Sequence, residues 1–175
     1  MNPMRMNLGK KMKGKTIVVY TSKYGAAKQY AEWLAEDLSC DIYEAKSIKK
    51  SDLENYDNIV YGGGVHAGGI EGWDSFRKII KKYLDIPYFN AIDKEGNFVQ
   101  ENYHPLKKIC CFAVGINVQN FEGRAELRNV NFDKRYLRPV TCFYLDGRYY
   151  GKYKICLRFW KIKMLLYRIT ETKSK

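Results

Sequence analysis

The sequence predicts an α/β fold of the three-layer kind, a five-stranded parallel sheet between two layers of helix. Three observations predict it. Short apolar strands alternate with segments of helical period from residue 16 to residue 145; the first strand runs through a hydroxyl- and glycine-bearing turn into a helix; and Lys108 to Val114 is nearly continuous in apolar residues, as central parallel strands are.

The elements follow in order. Thr16 to Tyr20 is the first strand, and a helix follows the turn with Tyr30, Trp33, Leu34 and Leu38 on one side. Asp41 to Ala45 is a short second strand. Ser51 begins a brief helical turn, with Asp52 and Glu54 near the positive end of its dipole. Asn58 to Gly62 is the third strand and runs into a loop, Gly62 to Gly69, in which five of eight residues are glycine. Gly72 to Tyr83 reads as the next helix: Trp73, Phe76, Ile79, Ile80 and Tyr83 recur at helical spacing, and Arg77, Lys78, Lys81 and Lys82 form a solvated face. After Lys108 to Val114 come a loop from Gly115 to Gly123, a short helix from Ala125 to Phe132 and a fifth strand from Val140 to Leu145. The connection at 84–106 breaks this rhythm and is expected to form a hairpin over Glu95-Gly96-Asn97 or a lid.

The turn after the first strand, Thr21-Ser22-Lys23-Tyr24-Gly25-Ala26, aims backbone N–H groups and hydroxyls at the start of a helix, where the dipole favours an anion. A phosphate is the expected occupant. The turn has one glycine and no Gly-Lys-Ser/Thr, which excludes the dinucleotide fingerprint and the nucleoside-triphosphate loop. In a doubly wound sheet the ligand crevice lies beyond the carboxyl ends of the strands, so the loops after the first, third and fourth strands are expected to converge.

Charge is distributed unevenly. Net charge is +12, yet residues 16–145 carry seventeen residues of each sign. The excess lies at the ends: residues 1–15 hold five Lys/Arg and no acid, and residues 146–175 hold nine Lys/Arg against two acids. Residues 1–14 read as a basic flexible leader and 15–175 as a single domain. The leader has no apolar run of the signal-peptide kind, and no stretch is long and apolar enough to span a bilayer, so a cytoplasmic protein is expected. Five cysteines without a C-x-x-C pair read as reduced thiols. A neutral central region without a nucleic-acid motif predicts no nucleic-acid partner.

Residues 154–169 have the pattern of a basic amphipathic helix. Lys154, Arg158, Lys161 and Arg168 share one face, and Ile155, Phe159, Ile162, Leu166 and Ile169 another. Two roles are open to it: covering the sheet as a last helix, or meeting a lipid surface or a partner.

The turn at Thr21 to Ala26 resembles the FMN phosphate loop of the flavodoxin family, in which hydroxyls and successive amides wrap the cofactor's terminal phosphate. The usual loop ends in one more Thr, where this chain has Ala27. The resemblance implies FMN as cofactor, with Thr21, Ser22, Lys23, Tyr24, Gly25 and Ala26 at the phosphate. It also places Gly63, Gly64, Val65, His66 and Ala67 against the flavin ring, and Gly115, Ile116 and Asn117 at its pyrimidine edge. Electron transfer to a redox partner protein or a quinone-type acceptor is the implied role. No carboxylate pair or Ser-His-Asp set is present, so no catalytic side chain is expected. The segment Gly-Arg-Tyr-Tyr-Gly-Lys-Tyr after the fifth strand, followed by a basic-aromatic helix, is similar to the flavodoxin-like, menaquinone-dependent protoporphyrinogen oxidases. That likeness implies a membrane-surface FMN oxidoreductase with peripheral contact through 148–168; the family's following helix has no counterpart after Thr170. A binding module that kept the fold and lost FMN is the remaining alternative.

Overall fold

The computed structural model describes residues 14–84, 91–92, 98–99, 107–116, 118, 120–132 and 140–147. The elements are β1 (Thr16–Thr21), α1 (Ala26–Leu38), β2 (Asp41–Glu44), β3 (Asn58–His66), β4 (Gly69–Ile70), α2 (Trp73–Leu84), β5 (Ala91–Ile92), β6 (Phe98–Val99), β7 (Lys108–Gly115), α3 (Phe121–Asn131) and β8 (Thr141–Asp146), with 3-10 turns at Ala45–Ser47 and Asp52–Asn55. Five strands pair in parallel in the order β2-β1-β3-β7-β8, and β4 adds antiparallel to the end of β3. The order reverses between β1 and β3, which is the doubly wound arrangement that opens a crevice at their carboxyl ends.

Alternation along the strands divides the core. Ile17, Val19, Ile59, Tyr61, Cys111 and Ala113 face Trp73, Phe76 and Ile80 of α2 and Leu127 of α3. Val18, Val60, Phe112, Val114 and Leu145 face Ala27, Tyr30, Ala31 and Leu34 of α1. A strand shows its two faces to opposite layers, so each central strand must be apolar throughout to serve both. Lys107 enters this core by its polar end: its ammonium donates to the carbonyls of Leu53, Glu54 and Tyr56, which closes the 3-10 turn before β3.

Two expectations are corrected. The third strand does not stop at Gly62 but continues to His66, with Gly62, Gly63 and Gly64 paired to Phe112, Ala113 and Val114. The glycines are there for space: a Cβ on Gly62 would lie 1.9 Å from Cζ of Phe112. The turn itself is only Ala67 and Gly68, both at positive φ. The third helix begins at Phe121, four residues earlier than its apolar period suggests, because the Asn120 side chain caps it by accepting from the Gly123 amide at 2.7 Å. The brief helical turn expected from Ser51 is the 3-10 turn Asp52–Asn55, whose Asp52 carboxylate accepts from the Lys49 amide. In the long connection, β5 and β6 pair antiparallel as a hairpin, while its tip at 95–97 lies outside the described residues.

Candidate functional site

A cleft of about 510 Å³ opens at the carboxyl ends of β1, β3, β7 and β8. Its first wall is the loop after β1, with Ser22, Lys23 and Tyr24 leading to Ala26 and Ala27 at the start of α1. Gly25, between them, has φ 84°, and a Cβ there would meet nothing within 4 Å. Helix α1 has no side-chain cap and no acid in its first turn, so its leading amides have neither intrahelical partner nor side-chain acceptor.

The second wall is the β3–β4 hairpin. Gly64, Val65, His66, Ala67 and Gly68 line the cleft. Asn131, 5 % exposed at the end of α3, holds this hairpin in place. Its Oδ1 accepts from the Ile70 amide at 2.7 Å, and its Nδ2 donates to the carbonyls of Gly68 and Leu127 at 2.8 and 2.7 Å. The Asn131 carbonyl accepts from the Trp73 indole at 2.8 Å, which ties α2 to the same point. Across the hairpin, the ring of His66 lies 5.6 Å from that of Tyr24, which is 74 % exposed at the rim.

The third wall is Val114, Gly115, Ile116 and Val118, backed by Gly123, Glu126 and Leu127 of α3. Arg124 Nε donates to the Val118 carbonyl at 3.1 Å, and the Gly147 amide donates to the Gly115 carbonyl at 3.0 Å. These bonds fix the loop after β7 from both sides.

Most of the residues that sequence reasoning nominates therefore meet in one place: Ser22, Lys23, Tyr24, Ala26, Gly64, Val65, His66, Ala67, Gly115 and Ile116 all line the cleft. Thr21 and Gly63, which pair in register, and Gly25 are not among its lining residues. The Tyr61 phenol donates its only proton to the Glu71 carbonyl at 2.6 Å, so the Thr21 hydroxyl, 2.9 Å away, must donate to Tyr61. Burial pushes the Tyr61 pKa up and keeps the phenol protonated, so this relay is fixed. Asn117 lies outside the described residues.

Glu71 and Asn131 escaped sequence reasoning. Glu71 lines the cleft, and its Oε2 accepts from the Lys23 amide at 3.1 Å. Nothing in the local sequence marks it, because the contact spans 48 residues and exists only once β4 folds back on β3. That contact also tests the cleft for a phosphate: the first-wall loop already binds an anionic oxygen through a backbone amide.

A family model, described as flavodoxin domain, matches residues 17–175. The chain belongs to the flavodoxin domain family. Membership makes FMN the cofactor of this domain and electron transfer its chemistry. Solved structures of like fold include rubredoxin oxygen:oxidoreductase from the anaerobe Desulfovibrio gigas, 17 % identical with TM-score 0.53, over 93 % of this chain and 36 % of that one. Oxidised Flavodoxin 2 from Bacillus cereus is 13 % identical with TM-score 0.53, over 89 % and 97 %. A flavodoxin, WrbA-like protein from Agrobacterium tumefaciens is 14 % identical with TM-score 0.51, over 91 % and 100 %. At such identities the likeness is one of fold. The flavodoxin domain spans about a third of the length of the Desulfovibrio protein and nearly all of the other two. No curated protein matches the chain. Among the described residues no helix is long and apolar enough to cross a membrane.

Proposed function

We propose that the cleft holds FMN with its phosphate in the loop Ser22 to Ala27 and its ring between the β3–β4 hairpin and the loop after β7, and that the domain passes electrons between redox partners. The flavin supplies the electron chemistry when bound. The chain's part is to hold and orient it. The amides of the first-wall loop and the Ser22 hydroxyl are donors for the phosphate, at the positive end of the α1 dipole. Gly64 and Gly115 let the backbone approach a flat ring, and Tyr24 and His66 cover one edge of it. Thr21 holds the loop through Tyr61 instead of supplying a phosphate hydroxyl.

The observation that carries the reading is the Lys23 amide, which donates to a carboxylate oxygen inside a cleft of flavin size. Titration with FMN tests it: a yellow 1:1 complex that melts higher than the free protein is expected. Ser22→Ala should weaken FMN binding by about 1.5–3 kcal/mol, the usual worth of a hydrogen bond to a charged group, and leave riboflavin binding alone. A protein that stays colourless and shows no thermal shift with FMN would refute the assignment.

A second reading rests on the basic amphipathic pattern from Arg148 to Arg168, a segment outside the described residues. It puts the same electron transfer at a membrane surface with a quinone-type acceptor, as the protoporphyrinogen oxidase likeness implies. Flotation with anionic liposomes checks this; protein left at the bottom of the gradient rejects it.

A further inference from the structure

The carboxylate of Glu71 occupies a backbone amide of the first wall, that of Lys23. Its backbone has little freedom: the Glu71 amide donates to the Gly64 carbonyl at 2.8 Å, and its carbonyl accepts from the Tyr61 phenol at 2.6 Å. The side chain starts from this clamped position, faces the cleft and reaches the Lys23 amide at 3.1 Å. A Cβ on Gly64 would lie 3.4 Å from the same Oε2, so the carboxylate also lies against the start of the second wall.

From this geometry we infer that Glu71 is a specificity-determining residue that competes with the cofactor's phosphate for the Lys23 amide and so sets how far the domain prefers FMN to riboflavin. The inference rests on the FMN reading given above. A flavin phosphate carries between one and two negative charges near neutral pH. It must either displace the carboxylate from the amide or sit beside it. Displacement loses a charge-assisted hydrogen bond, and coexistence sets like charges a few ångströms apart. Both penalties fall on FMN alone, because riboflavin has no phosphate. With Ala26 and Ala27 at the helix start, neither of which carries a side-chain donor, the loop has few side-chain donors to offset them.

Glu71→Gln removes the charge and keeps an oxygen able to accept from the Lys23 amide. Dissociation constants for FMN and riboflavin, measured by flavin fluorescence on the full chain, test the inference. FMN should bind Glu71→Gln about tenfold tighter or more than the unaltered chain, while riboflavin affinity stays the same. Glu71→Ala should shift the ratio in the same direction. Glu126→Gln removes the other acid that lines the cleft among the described residues and should change the ratio by less than about twofold, since that carboxylate lies near Gly68 at the far end of the hairpin. Equal FMN affinity in the unaltered chain and Glu71→Gln overturns the inference and leaves the FMN reading standing. Weaker binding of both flavins by Glu71→Gln also overturns it, and makes Glu71 an acceptor for the part that both share. An effect of Glu126→Gln as large as that of Glu71→Gln overturns it in favour of a general charge effect. Binding of FMN by none of these proteins removes the FMN reading and the inference together.

Discussion

Asp41 shows how one side chain at the edge of the sheet is held. Its carboxylate accepts from the Tyr56 phenol at 2.6 Å and lies 3.5 Å from the Lys15 ammonium. The Tyr56 hydrogen bond, with help from Lys15, lowers the Asp41 pKa below its ordinary 3.8. A depressed carboxylate contributes stability that is present above its unfolded pKa and disappears as pH falls through its folded one, so this contact is lost only in acid. Carboxyl-carbon NMR should place the Asp41 midpoint below 3.8, and Tyr56→Phe should move it back up. The pairing was not legible in the sequence, because β2 and the end of a 3-10 turn meet only through the parallel register of β2 on β1. The same is true of Glu71 and Asn131: each acts across long separations through a hairpin whose position depends on the rest of the fold. The turn from Ser22 to Ala26 was legible, because its chemistry lies in consecutive residues.

At the scale of elements, β3 is the case that sequence pattern misjudges most. A run of glycine reads as a loop, since glycine is costly in a strand and useful in a turn. Here the run is strand, and the reason is the neighbour: the ring of Phe112 on β7 fills the space that a side chain at Gly62 would need. Gly62→Ala should therefore destabilise the domain by about 1–3 kcal/mol or more in urea unfolding, as overpacking of a tight core does. Adding Phe112→Leu should recover part of the loss, because the smaller side chain frees the contact; additive losses in the double variant would show that the ring is not the obstacle. The start of α3 escapes the apolar pattern for a related reason. Gly123 lowers the helical pattern of its turn, and the cap from Asn120 that compensates is a side-chain contact no periodicity reveals.

At the scale of the whole molecule, the alternation of strands and helices was sufficient to give the fold class and the count of parallel strands; the sheet agrees with both and the family match with the first. The order β2-β1-β3-β7-β8 was not readable from alternation, but it is the order that brings the ends of β1, β3 and β7 together. The three loops expected to converge thereby become the walls of one cleft. The central claim is that this cleft seats FMN by its phosphate at Ser22 to Ala27. Amide chemical shifts of the full chain, followed by two-dimensional NMR during titration with FMN and then with riboflavin, test it most directly. The claim predicts that FMN perturbs the amides of Ser22 to Ala27 together with those of Val65 to Gly68 and Gly115, and that riboflavin perturbs the last two groups and Tyr24, which lies beside the ring, but not the other amides of the first. Shifts that leave Ser22 to Ala27 unmoved by FMN, or that move them equally with riboflavin, would contradict it.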